Sequence, residues 1–326
     1  MALRLASLAQ GKRRLVLIDG NAILHRAYHA LPPLTNRSGE LVNAVYGFLR
    51  MLFKVVENLK PAYLAVAFDT PHPTFRHQEF VGYQAQRPVM EAELSSQIDK
   101  VRGVLREMGV AIFEKPGFEA DDVLGTIAHR ATDYHRSKKP ITTDKTGMEV
   151  VIVSGDRDLM QLVNEKTKMY LPTKGISEAV MVDEEGVEER IGVRPAQIPD
   201  YKGLVGDPSD NYPGVAGIGP KTAVRLLAEF GSLEKVMGMV KEERLVDKLT
   251  KGKETAVLSK KLAIIRSDVP LNFNLERCQA PEVGSEKVMA VLRSLGFKSL
   301  IGKTEEKAEK VKKVRKREEE QLRLLD

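Results

Sequence analysis

The stretch Arg14-Leu-Val-Leu-Ile-Asp-Gly20 carries the reading of the fold. A short apolar run without polar alternation, stopped by Asp-Gly, predicts a strand buried on both faces. The pattern recurs at Ala62-Tyr-Leu-Ala-Val-Ala-Phe68, stopped by Asp69, and at Glu149-Val-Val-Ile-Val153, closed by Ser154-Gly-Asp156. Val110–Glu114 reads as a further strand. Between them Leu41, Val45, Phe48, Leu49, Leu52, Val56 and Leu59 follow a helical period that ends at Pro61. Residues 90–108 read as a helix stopped by Gly109, and Glu119 to Ala131 as a helix reached through Pro116-Gly117. Strands alternating with helices predict an α/β fold with a parallel sheet. Such sheets bind ligands beyond the carboxyl ends of their strands. Asp19, Asp69 and Asp156 then come to one edge. Each alone is ordinary turn or N-cap chemistry; together, on separate strands, they point to a site.

From about Arg190 the chain becomes Gly/Pro-punctuated, with short helical segments at 196–205, 221–230, 232–240 and 254–265. The expected organisation is an α/β core over 1–190, a helical extension over 191–300 and a charged tail over 301–326. The tail alternates Lys/Arg with Glu and reads as solvated. Within 132–149 the polar run His135 to Thr146 reads as a loop. At 326 residues and 42% hydrophobic the chain can bury a core. The lone Cys278 excludes a disulfide scaffold and a Cys-rich zinc module. No apolar run approaches a membrane span, and Met1 to Arg14 lacks a signal-peptide core, so a cytoplasmic location is expected. The net charge is +6, of which +2 falls on the tail from Ile301. If nine carboxylates of the body gather in one site, the rest of its surface carries +13, the footprint of a polyanion binder.

Those acids come in tight groups. Glu119-Ala-Asp121-Asp122 opens a helix, Asp156-Arg-Asp158 follows a strand, and Gly206-Asp207-Pro-Ser-Asp210-Asn211 precedes a Gly/Pro stretch. Helix-dipole and turn chemistry account for each group locally. Converging on one strand edge with Asp19 and Asp69, they would repel one another and raise each other's pKa values. Divalent cations make such a site sensible, and oxygen ligands without His or Cys select Mg²⁺ or Mn²⁺ over zinc. Two such ions about 4 Å apart form a known apparatus for phosphodiester hydrolysis.

The chain closely resembles the 5′-nuclease domain of bacterial DNA polymerase I, within the flap endonuclease superfamily. The matching segments, in order, are Leu17-Ile-Asp-Gly20 with Arg26; Ala44-Val-Tyr-Gly-Phe48; Phe68-Asp69 with Phe75-Arg76; Gly117-Phe-Glu-Ala-Asp-Asp-Val-Leu124; Gly155-Asp-Arg-Asp-Leu159 with Gln161-Leu162; Gly206-Asp-Pro-Ser-Asp-Asn211; and Pro213-Gly-Val-Ala-Gly-Ile-Gly-Pro-Lys-Thr222. The resemblance implies a PIN-like 5′-nuclease core with a helix-hairpin-helix extension. It implies two divalent ions, one held by Asp19, Asp69, Glu119 and Asp121, the other by Asp156, Asp158 and Asp210, with Asp122 and Asp207 acting through water. It further implies cutting of 5′ flaps and of nicked or recessed 5′ ends, on DNA and RNA–DNA hybrid, for primer removal and repair.

By the same resemblance, residues of about 76–108 form an arch over the 5′ single strand. Tyr83 is expected to stack on a base, and Arg76 and Arg87 to contact phosphates. One departure stands out: Tyr83-Gln84 replaces the family's usual Tyr-Lys, whose lysine polarises the reacting phosphate. Gln84 keeps a donor but loses the charge, and Arg76 or Arg87 is expected to compensate in part, so that Gln84→Lys should speed cleavage. Arg157 replaces a frequent lysine and keeps its charge, and the 132–149 segment is longer than usual. Gly214, Gly217 and Gly219 permit close approach of a phosphate backbone, Pro220 suits a first helical turn, and Lys221 and Thr222 follow at its amides. Contacts of this kind grip a duplex without reading sequence. The resemblance adds a monovalent cation, potassium, at this hairpin. The expectation is a monomeric, stand-alone, nucleoid-associated nuclease linked in function to a separate polymerase and ligase. A silent DNA-junction binder of the same fold, or another metal phosphohydrolase acting on RNA, stands as the alternative.

Overall fold

The computed structural model describes residues 13–36, 38–137, 148–175 and 178–306. The expected tail beyond 306 and most of the 132–149 segment lie outside them. Strands β1 (Arg14–Asp19), β2 (Tyr63–Ala67), β3 (Ala111–Phe113), β4 (Glu149–Val153), β5 (Thr167–Pro172) and β6 (Ala179–Val182) form one sheet, ordered β3-β2-β1-β4-β5-β6. All pairs are parallel except the last, where β6 returns against β5. The helices are α1 (Gly20–Ala30), α2 (Asn43–Leu59), α3 (Phe75–Glu79), α4 (Ala92–Met108), α5 (Ala120–Ser137), α6 (Glu184–Ile191), α7 (Ile198–Val205), α8 (Pro220–Phe230), α9 (Leu233–Met239), α10 (Glu243–Lys251), α11 (Lys253–Ala263) and α12 (Glu286–Ser294).

The strands lack polar alternation because both sheet faces are covered. Leu15, Leu17, Val150 and Ile152 pack with Val123, Leu124 and Ile127 of α5 on one face. Val16, Ile18, Val151 and Val153 pack on the other with α1, α2 and α4. The register sets Asp19 level with Ala67 and Ile18 level with Val153. Asp69 and Asp156, a few residues further along, therefore emerge at the same edge as Asp19. α1 follows Asp19 with no loop, and Asp19 caps it by accepting from Ala22 N at 3.0 Å. Only glycine fits at position 20: a Cβ there would lie 2.4 Å from the Phe68 ring.

The extension expected over 191–300 divides. α7 to α10 share the α5 core through Leu204, Leu226, Leu233 and Leu249. The chain then returns along β2, where Ala280 N donates to Ala62 O. α12 buries Val288 and Leu292 in the opposite core, with Phe297 and Leu300 beyond it. An amphipathic helix follows its apolar stripe to whichever face is open, and here that face belongs to the nuclease core.

Candidate active site

The strand-edge acids form two neighbouring groups. In the first, Asp19 is buried and accepts from Ser154 Oγ at 2.7 Å through its second oxygen. Asp69 Oδ1 accepts from Ala120 N at 2.7 Å, at the start of α5. Asp121 points among them from the first turn of that helix. Burial, then the charges of Asp156, Asp19, Asp69 and Glu119, push its pKa far up. Burial likewise raises Asp19 to about 7 and Glu119 to about 7, and lifts Asp69. Among the described residues no lysine or arginine ion-pairs with Asp19, Asp69, Asp121 or Asp156.

The second group is Asp158, Asp207 and Asp210, whose carboxylate oxygens lie within 4.8 Å of one another. Lys202, from the last turn of α7, is held by both Asp158 and Asp207. Burial raises Asp158 to about 6 against the pull of Lys202. Burial would raise Asp207 too, but Lys202 and Ser209 outweigh it and hold its pKa below the usual range. The ammonium of Lys202 is in turn held well above its ordinary pKa, because these carboxylates outweigh its burial. Tyr83 joins the groups: its hydroxyl lies 3.1 Å from Glu119 Oε2 and 3.4 Å from Asp210 Oδ2.

Several expected roles meet a different geometry. Arg76 is 3% exposed and has no donor left for a phosphate. Its five N–H groups are taken by Asp122 twice, Glu119, Leu262 O and Ile264 O. Asp122 is correspondingly consumed by Arg76, Glu119 N and Arg266 N, and it is fully buried. Tyr83 offers no open face to a base, being 4% exposed and lying against Tyr212 and His77. Arg87 is exposed and reaches Asp210 at 3.4 Å. Gln84 donates to Asp210 Oδ1 at 3.0 Å and adopts φ +53, a left-handed backbone held by its own N–H on Asp210 O. Arg26 donates to Gly175 O at 2.7 Å.

The hairpin lies between α7 and α8. Gly214 crosses the backbone at Gly206 so closely that a Cβ would fall 2.4 Å from Gly206 N. Gly217 turns at φ +77, and Gly219 precedes Pro220 at the start of α8 with no side-chain cap. The amides of Lys221 and Thr222 therefore have no partner within the helix, and Lys221 is exposed. Sequence reasoning missed Lys202, Ser154, Asn21 and Thr74. The signal for Lys202 was there: it lies one helical turn before Asp207 in a helix that ends at the acidic turn.

A doubly covered parallel sheet with crowded carboxylates at its carboxyl edge and a helical hairpin beside it defines a nuclease-like architecture. The chain belongs to the 5′-3′ exonuclease family: residues 14–192 match its N-terminal resolvase-like domain and residues 193–286 its C-terminal SAM fold. It is 42% identical over 297 residues to DNA polymerase I of Bacillus caldotenax, covering 90% of this chain and 32% of that protein. With DNA polymerase I of Bacillus subtilis (strain 168) it shares 40% over 293 residues, 89% of this chain and 32% of that one. The chain thus spans about a third of the length of these polymerases. The fold is shared with a T5 5′-exonuclease with bound zinc (TM-score 0.60, 20% identity, 77% of this chain and 89% of that). It is shared too with the bacteriophage T5 D15 flap endonuclease in a complex with DNA and metal ions (TM-score 0.61, 18% identity, 91% and 98%). No helix among the described residues is long and apolar enough to cross a membrane.

Proposed function

We propose that the chain is a divalent-metal-dependent, structure-specific 5′ nuclease, acting as 5′→3′ exonuclease and 5′-flap endonuclease on DNA and RNA–DNA hybrid. The observation that carries this reading is the first acidic group: Asp19, Asp69, Asp121 and Asp156 repel one another, and among the described residues none of these carboxylates forms a side-chain ion pair with a lysine or arginine. Hard oxygen donors of this kind fit Mg²⁺ or Mn²⁺. Asp19, Asp69, Glu119 and Asp121 would hold one ion, and Asp156, Asp158 and Asp210 a second, with Asp207 at the edge. The ions, when bound, supply an activated water and neutralise charge on the attacked phosphate. The chain's own groups do the positioning. Thr74 and Tyr83 orient Glu119, and Ser154 orients Asp19. Arg87 and Gln84, both on Asp210, face the place where the scissile phosphate would lie. Arg76 and Asp122 act structurally, binding α3, α5 and the segment after α11 into one wall.

The hairpin would grip the duplex beyond the junction through the Lys221 and Thr222 amides and the Lys221 ammonium, with the close turns of Gly214, Gly217 and Gly219 admitting the backbone and potassium completing the site. Arg26 would lie on the DNA side of α1. The protein would act as a monomer on nucleoid DNA, alongside polymerase and ligase activities. The test is cleavage of a 5′-labelled flap duplex in Mg²⁺. A cut near the junction, abolished by EDTA and by Asp156→Asn, is expected. Junction binding without any cut would leave a silent binder, and preferential cutting of single-stranded RNA would point to an RNA endonuclease.

A further inference from the structure

Arg102 lies midway along α4, the helix that closes the expected arch. Its guanidinium sits 5.1 Å over the Phe68 ring and donates to the backbone carbonyl of Asp69 at 2.7 Å. Asp99 and Glu114 balance its charge at 3.2 and 3.3 Å, and its side chain is only 15% exposed. Asp69 is thereby pinned on three sides. Its N–H donates to Asn21 Oδ1 at 3.0 Å, its carbonyl accepts from Arg102, and its Oδ1 accepts from Ala120 N. The other carboxylate oxygen has no described partner, and the Asp69 charge is felt by Asp19 and Asp121.

We propose that Arg102 is a positioning residue: it holds the Asp69 peptide so that the free oxygen meets the first metal ion, and so couples α4 to the metal site. This rests on the metal-dependent reading above. Groups that orient a ligand typically matter about 10- to 100-fold in metal affinity. Electrostatics alone makes the opposite forecast. Arg102 is a cation near a cation site, so its removal as a mere charge would tighten metal binding.

The sign separates the two. Mn²⁺ is titrated calorimetrically into the metal-free full chain, with thermal unfolding of the same samples. Arg102→Ala is expected to weaken Mn²⁺ binding about tenfold. Arg102→Lys, which keeps a donor and a cation over Phe68, should recover most of the loss. Arg106→Ala, an exposed arginine on the same helix, should change nothing. If Arg102→Ala costs the fold itself, Arg102→Met, which keeps the packed stem, carries the test. Binding as tight as or tighter than that of the unsubstituted chain, in a folded variant, would overturn the proposal. A chain that binds no Mn²⁺ before substitution would overturn both this inference and the metal-site reading beneath it.

Discussion

At residue scale the arch base shows how one side chain's donors decide its job. Arg76 and Arg87 are eleven positions apart and carry the same guanidinium, yet every N–H of Arg76 is consumed inside the fold while Arg87 stays largely in solvent. Of the two arginines expected to compensate for the charge missing at Gln84, Arg87 is the one with donors still open to solvent. Gln84 is tied to Asp210 twice, through its backbone N–H and its side-chain amide. Gln84→Lys keeps the reach and adds a charge where negative charge develops on the phosphate. Single-turnover cleavage of a flap duplex should rise about tenfold, less than the loss of a whole donor usually costs, because the amide already donates. An unchanged single-turnover rate would mean that Arg87 already supplies all the stabilisation the phosphate uses.

At the scale of elements, the start of α8 is the clearest separable device. Pro220 removes one N–H, no side chain caps the turn, the two following amides have no partner within the helix, and Lys221 is exposed beside them. A phosphate bound there contributes to affinity without reading bases, so Lys221→Ala should weaken duplex binding uniformly across sequences. The slope of log affinity against log salt should fall by about one. An unaltered slope would move the duplex grip away from α8. Elements differed in how far their residues declared them. β1, β2 and β4 were legible because a parallel strand covered on both faces is one apolar run. α1 was not, since it begins directly at Gly20 and its apolar face is short. β5 and β6 were missed because, at the sheet margin, they are only partly buried and lack a continuous apolar run, and α12 because its partners come from the other end of the chain. Nothing in the local pattern of Arg76 showed that distant carbonyls of Leu262 and Ile264 would claim it. The acidic groups were legible as groups; Lys202 was signalled only by its place just before Asp207, and its pairing with Asp158 and Asp207 depends on how α7 runs into that turn.

At the scale of the whole molecule, the fold collects carboxylates from β1, β2, α5, β4 and the α7–α8 turn against their own repulsion. The sheet and its two cores supply the stability that keeps them together in the metal-free chain. The consequence is measurable as a dependence of stability on pH. Asp19 and Glu119 are lifted to about 7 and Asp158 to about 6, each first by burial. Between the ordinary carboxylate range and pH 7 the folded state thus binds more protons than the unfolded chain, so stability declines as pH rises through that window. Each unit of displacement is worth about 1.4 kcal/mol, reduced in practice by coupling among the groups. Metal-free protein in EDTA should therefore unfold at a temperature about 5 °C lower at pH 8 than at pH 5.5. Divalent ions bind the ionised acids in the folded state alone, so millimolar Mg²⁺ should raise the unfolding temperature at pH 8 and do little at pH 5.5, where protons already neutralise the site. Asp121→Asn removes the acid that four others repel. It should raise the metal-free unfolding temperature at pH 8 and shrink the Mg²⁺ response. A metal-free curve that is flat from pH 5.5 to 8 would show that the acids are not crowded before metal binds, and that the ions assemble the site instead of relieving it.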